Sequence, residues 1–163
     1  MKKIELTQGY QVIVDDEDYE ELTKHNWHIT KGKRYYAARS LRIDKKIVSV
    51  LSMHRQIMKL EYGDKRQVDH INGNGLDNRK ENLRICTHSE NCYNRKKTKI
   101  NATSKYKGVY WDKQRKKWST LIGKDQKSIH LGHYDNEIEA AKAYDKKALE
   151  LFGEFAYINF KNK

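Results

Sequence analysis

The sequence predicts an α+β protein built from two small domains, and three observations lead there. With 163 residues, 34% of them charged and 37% hydrophobic, the chain has too little apolar content for one large core and enough for two modest ones. Between Val68 and Arg95, apolar and turn residues are spaced as strand, long turn, strand and helix. Beyond Lys107, three alternating runs precede one amphipathic helix, the pattern of an antiparallel meander covered on a single face.

Taken in order, residues 3–14 (KIELTQGYQVIV) alternate around Gln8-Gly9 and predict a hairpin. The acidic run Asp15 to Lys24 predicts a short helix, capped by Asp15 or Asp16 and ended at His25-Asn26-Trp27-His28. Arg34 to Ser40 and Lys46 to Leu51 flank Asp44-Lys45 as a second hairpin. Ser52 caps a helix from Met53 to Leu60, with Met53, Ile57 and Leu60 on one face. His25, His28 and His54 are assigned structural roles at or near these helices.

Val68 to Ile71 then reads as a strand, Asn72-Gly73-Asn74-Gly75 and Asp77-Asn78 as turns, and Leu83 to Cys86 as the returning strand. Thr87-His88-Ser89-Glu90 fits a capping box, so a helix follows, with Asn91, Asn94 and Arg95 on one face. Arg95 to Lys117 holds ten Lys or Arg against one acid, and residues 99–103 within it read as a linker. After it, Lys107–Trp111, Lys117–Ile122 and Ser128–Tyr134 form the meander. Trp118, Thr120, Ile122, Ile129 and Leu131 are expected on its covered face, with Lys117, Ser119, Leu121, Ser128 and His130 on the other. Asn136 to Phe152 is a helix with a stripe of Ala140, Ala141, Tyr144, Ala148 and Leu151, terminated at Gly153.

The net charge of +12 points to a polyanionic partner, with nucleic acid first and an anionic membrane surface second. No apolar run approaches a membrane span and no signal-peptide segment follows Met1, so a membrane is excluded and a cytoplasmic setting expected. Cys86 and Cys92, with His88 between them, fall short of a four-ligand zinc pattern, and no structural zinc is expected. With no proline in the chain, every turn falls to Gly, Asn and Asp.

The density of small polar residues around His70 suits phosphodiester hydrolysis better than folding alone. An imidazole that titrates near neutrality makes an efficient general base. Asn82, across the hairpin, is expected to accept the ring N–H of His70 and orient it. Asp69 points to the opposite strand face, where with Asn91 it offers oxygen ligands to a cation such as Mg²⁺, Mn²⁺ being an acceptable substitute.

Val68 to Arg95 resembles the HNH endonuclease motif, the ββα-metal fold, in the DH…N…N variant of phage and intron-encoded homing endonucleases. Asp69, His70, Asn82 and Asn91 carry that resemblance. Ser52-Met53-His54-Arg55, Trp27 and Tyr35-Tyr36 are also similar to this family's N-terminal part. The resemblance implies metal-dependent cleavage to 5′-phosphate and 3′-hydroxyl ends, with Asp69 and Asn91 on the metal, His70 as base and Asn82 orienting it. Asn in place of the final His matches the nicking branch, so the resemblance leaves open cleavage of one strand by a monomer or of both strands; the cytoplasm of a bacterial or phage-infected host cell is the expected setting.

Ser104 to Phe160 resembles the AP2 DNA-binding domain. The carriers are Tyr106-Lys107-Gly108-Val109, Trp118, Leu131-Gly132-His133-Tyr134, Glu139 to Asp145, and Asn159-Phe160. In that family the free sheet face enters the major groove of double-stranded DNA. That face here is expected to present Lys107, Tyr110, Lys117, Ser119, Leu121, Ser128 and His130, with Lys113 and Arg115 at the first turn. Asn94 and Arg95 add expected DNA contacts. The organisation expected is therefore a nuclease domain at 1–98 (ββα core about 66–97), a linker at 99–103 and a DNA-binding domain at 104–163. A DNA endonuclease is the leading expectation, and a non-enzymatic AP2-type transcription regulator is the competitor. An RNA-directed protein lacks the stacking pattern it would need.

Overall fold

Alternation in the first residues is realised as the antiparallel pair β1 (Lys2–Glu5) and β2 (Gln11–Val14), which turn Ile4, Val12 and Val14 inward. Gln8 and Gly9, at φ 69° and 74°, make the reversal between them. The computed structural model describes residues 1–32, 34–43, 46–96 and 103–160. It divides into two compact units, Met1–Asn91 and Cys92–Lys163.

In the first unit, α1 (Asp16–Thr23) follows Asp15, whose carboxylate accepts the Lys80 amide at 2.7 Å instead of capping the helix. Buried Leu22 and Trp27 close the helix against the core, the indole N–H donating to the Leu22 carbonyl at 2.8 Å. A strand that the sequence reading does not anticipate comes next, β3 (His28–Lys31), paired to β4 (Tyr35–Ile43), which pairs in turn with β5 (Lys46–Ser52). Asp44-Lys45, the expected turn between the last two strands, and residues 99–102 of the expected linker lie outside the described residues. The helix α2 (Met53–Ile57) is shorter than expected, because Lys59 takes a positive φ of 54°. Met53, Ile57 and Leu60 nevertheless all reach the core, beside Ile29, Ala37, Val68 and Leu83.

β6 (Gln67–His70) and β7 (Leu83–Cys86) form the predicted hairpin, with Asp69 opposite Arg84 and His70 opposite Leu83. α3 (His88–Tyr93) opens with the capping box: Glu90 accepts the Thr87 amide at 2.7 Å, and Thr87 Oγ1 accepts the Glu90 amide at 3.3 Å. The long turn between the strands is bound to β2 through Ile13 N–H to Leu76 carbonyl (2.9 Å) and Asn78 N–H to Ile13 carbonyl (2.8 Å).

In the second unit, β8 (Val109–Asp112), β9 (Lys117–Lys124) and β10 (Lys127–Tyr134) make the antiparallel meander in the order β10-β9-β8. The helix α4 (Glu137–Phe152) covers one face, and Asn136 Oδ1 caps it by accepting the Ile138 amide at 2.7 Å. Fully buried Ala140 and Ala141 bring the helix close enough for Thr120 Oγ1 to donate to the Ala140 carbonyl at 3.1 Å. Ile122 packs with Tyr144, Ala148 and Phe152. The Asn159-Phe160 pair fastens the C-terminal segment: buried Asp145 accepts both of their amides, at 2.7 and 2.9 Å.

Candidate active site

His70 ends β6 with 3% of its surface exposed, facing inward like Val68 two residues before it. Its ring lies 5.7 Å from that of Tyr36 on β4 and 5.0 Å from that of His54 on α2. Burial holds the His70 imidazole below its ordinary value of 6.5, opposed by the ring's hydrogen bond to Asn78 Oδ1 and by the charge of Asp69. It is therefore neutral, and able to take a proton, at pH 7.

The partner that was expected to orient this ring does something else. Asn82 Oδ1 accepts the Asn72 amide at 2.9 Å, and its Nδ2 donates to the Asp77 carbonyl at 2.7 Å. Both ends of the amide thus hold the loop in shape. The contact to His70 Nε2 comes from Asn78 Oδ1 at 3.0 Å. In sequence Asn78 is visible only as half of a turn dipeptide, because turn-forming Asp-Asn and ring-orienting Asn have the same composition. The rest of the loop is equally organised by side chains. Asn72 Oδ1 accepts the Asn74 amide (2.8 Å), Asn74 Oδ1 the Leu76 amide (3.1 Å), and Asn72 Nδ2 donates to Asp77 (2.9 Å). Buried Asp77 pairs with Arg79 at 2.8 Å, which holds its carboxyl below the usual carboxylate range.

Gln67 and Asp69, two apart, share the strand face opposite His70. Asn91 on α3 stands beside that face, its Nδ2 donating to Gln67 Oε1 at 2.8 Å. Asp69 is 2% exposed and accepts from Arg84 Nη2 and Nε at 2.7 and 3.1 Å. This face thus gathers three oxygen-bearing side chains, one of them anionic, with a guanidinium already on the carboxylate. Gln67 and Arg84 were not anticipated; the signals were Gln67's i, i+2 relation to Asp69 and Arg84's place opposite it.

Of the expected DNA contacts, Tyr110 (39% exposed), Lys113, Arg115, Ser128 and His130 are exposed, Lys117 and Leu121 half-buried. Arg115 pairs with Asp112 and Lys117 with Asp135, each at 3.2 Å. Three placements differ from expectation. Ser119 has no exposed surface and its hydroxyl lies 3.0 Å from His130 Nε2, because larger neighbours close over the middle of the sheet. Lys107 is turned away from the free face: its ammonium donates to the Tyr93 carbonyl at 2.6 Å, and burial pushes it down to about 8. Asn94 is buried and follows the end of α3 at Tyr93, so it does not extend the helical face of Asn91, while Arg95 is exposed. A bulge between His130 and Gly132 adds a residue the sequence missed. It brings His133 opposite Ser119, on the same face as His130, with the two imidazoles 4.5 Å apart.

The same organisation emerges from comparison with known proteins. The family model "HNH endonuclease" matches residues 52–93, and "AP2 domain" matches 104–154. Protein 3.8 of Escherichia phage T7 is 36% identical over 89 residues, covering 55% of this chain and 72% of the phage protein. An uncharacterized HNH endonuclease of Acanthamoeba polyphaga mimivirus is 29% identical over 137 residues, covering 82% of this chain and 70% of the viral one. An AP2-like ethylene-responsive transcription factor of Arabidopsis thaliana is 41% identical over 58 residues, 36% of this chain but 13% of the plant protein.

Proposed function

The chain belongs to the HNH endonucleases and carries an AP2 domain after its nuclease motif, and from that premise we propose that it is a site-specific DNA endonuclease of the homing type. In this reading residues 1–98 cut, 104–163 select the site, and 99–103 join the two. One observation carries it: a neutral, buried imidazole at His70 is held by an amide at 3.0 Å, on a strand whose other face gathers Asp69, Gln67 and Asn91.

His70 acts as general base. The O–H proton of a water passes to its imidazole as the water oxygen bonds to phosphorus. The bond from phosphorus to the 3′-oxygen breaks, and that oxygen leaves with the electron pair and takes a proton from solvent water. A 5′-phosphate and a 3′-hydroxyl result. Asn82 contributes by fixing the loop that carries Asn78. Asp69 and Asn91 would hold a divalent cation, which when bound supplies charge neutralisation at the phosphate. The donor set fits one: hard oxygen ligands, few in number, suit Mg²⁺, or Mn²⁺ in its place. Arg84 already occupies the Asp69 carboxylate at 2.7 Å, so a cation held there would share that carboxylate with the guanidinium.

The exposed set Tyr110, Lys113, Arg115, Ser128, His130 and His133 suits strand-based readout in a major groove. Arg95 and Lys117 add phosphate contacts, Leu121 an apolar one, and Ser119 acts by holding His130. With one nuclease motif per chain, a monomer cuts one strand per binding event in a phage- or virus-infected cell.

Incubation with supercoiled plasmid tests this. Mg²⁺ should yield nicked circles before linear DNA, and EDTA should abolish both. His70→Ala should abolish cleavage and leave duplex affinity within about twofold, since the base makes no phosphate contact in the ground state. Full cleavage by His70→Ala sinks the assignment. Tight site-specific binding with no cleavage by the wild type under any divalent cation favours a transcription regulator instead.

A further inference from the structure

We infer that Asn78 is the positioning residue that fixes His70 in its Nε2–H tautomer, which leaves the basic lone pair on Nδ1. The inference rests on the reading of His70 as the base. A carbonyl oxygen 3.0 Å from an imidazole nitrogen requires a proton between them, because two lone pairs at that distance repel. With Nε2 protonated, a neutral ring has its lone pair on Nδ1. In the opposite tautomer the lone pair of Nε2 would face the oxygen of a buried amide.

The amide enforces this choice in the orientation that turns Oδ1 to the ring and Nδ2 to a sulfur acceptor, and its contacts favour that orientation. Asn78 has no exposed surface, and its backbone N–H is held by the Ile13 carbonyl at 2.8 Å. Its Nδ2 faces Met53 Sδ at 3.8 Å, a weak acceptor that accounts for the donor end. Asp77 beside it is bridged to Ile13 and ion-paired to Arg79 at 2.8 Å, so the chain on that side is fixed as well. The imidazole is confined too, by Tyr36 at 5.7 Å and His54 at 5.0 Å. Asn82, with both ends of its amide engaged in the loop, lacks the geometry for the role.

The decisive measurement is the ring ¹⁵N spectrum of His70 in the full chain labelled with ¹⁵N-histidine, assigned by loss of signal in His70→Gln. At neutral pH the wild type should show a protonated Nε2 and an unprotonated Nδ1. An Nδ1–H ring overturns the proposal. Asn78→Asp keeps an acceptor at the same place and should keep the Nε2–H tautomer. Asn78→Leu removes it and should lower kcat by about 10²-fold or more with KM changed less than about twofold, the loss general-base catalysis is worth. Wild-type kcat in Asn78→Leu also overturns it, and the wild-type spectrum decides even if that variant does not fold. Cleavage surviving in His70→Ala would instead refute His70 as base and leave the tautomer result standing.

Discussion

His54 shows what a single residue near the site costs and gives. Its place near the apolar face of α2 implies a structural role, and it does pack edge-on against His70 and Tyr36, at 5.0 and 5.5 Å. Its Nδ1 is buried with no hydrogen-bond partner among the described residues, a configuration that opposes stability by about 1–3 kcal/mol. Burial first, then the charges of His70 and Arg55, push its imidazole down to about 3. Below pH 6.5, the ordinary value, the unfolded chain therefore accepts a proton that the folded chain refuses. Stability from this residue is complete above that pH and is lost as the pH falls toward 3; His70, shifted in the same direction, adds to the loss. His54→Phe should accordingly lose less thermal stability between pH 7 and pH 5 than the wild type does. Equal losses in Tm would show that protonation elsewhere governs acid sensitivity. Asp69 and His70 were legible in the sequence as a candidate site because an adjacent Asp-His pair there precedes an Asn-Gly turn and a capped helix. His54, Tyr36 and Asn78 were not, since each has an ordinary role in a helix, a strand or a turn, and only tertiary packing brings them to one ring.

At the level of elements, legibility followed the strength of local chemistry. The capping box at Thr87 and Glu90, the Asn136 cap and the Ala stripe of α4 were read correctly because each is written in residues a few positions apart. β3 was missed since its four residues carry one buried side chain, Ile29, and its strand character comes from pairing with β4. The bulge in β10 escaped because alternation, read straight through, puts His133 with the helix-facing set; an extra residue at Leu131 shifts the register and exposes it. Gly108 ties an element to its neighbour in a way a substitution can measure. Its φ is 80°, and a Cβ there would overlap the Tyr144 ring, itself buried between sheet and helix. Gly108→Ala combines a strained backbone with overpacking, so it should destabilise the second unit by about 1–3 kcal/mol. The fluorescence of Trp111 and Trp118, both in that unit, would report this as a lower unfolding midpoint, and an unchanged midpoint would mean Tyr144 can move aside freely.

For the molecule as a whole, the net charge of +12 makes DNA affinity a function of salt before it is a function of sequence. If the second unit supplies site selection and the first supplies chemistry, the two should separate in kinetics. Lys113 is exposed at the first turn of the meander and has no acidic neighbour described, whereas Arg115 is already 3.2 Å from Asp112. A phosphate contact by Lys113 therefore displaces counterions, while one by Arg115 first competes with its own carboxylate. Lys113→Gln should reduce the slope of log affinity against log salt by about 0.9, the value expected for one phosphate contact on duplex DNA. Arg115→Gln should reduce it by less. On that division of labour neither should alter kcat at saturating DNA, and both should raise KM. A fall in kcat at unchanged KM in Lys113→Gln would place that side chain at the chemistry and not in delivery, and the division of labour between the units would have to be redrawn.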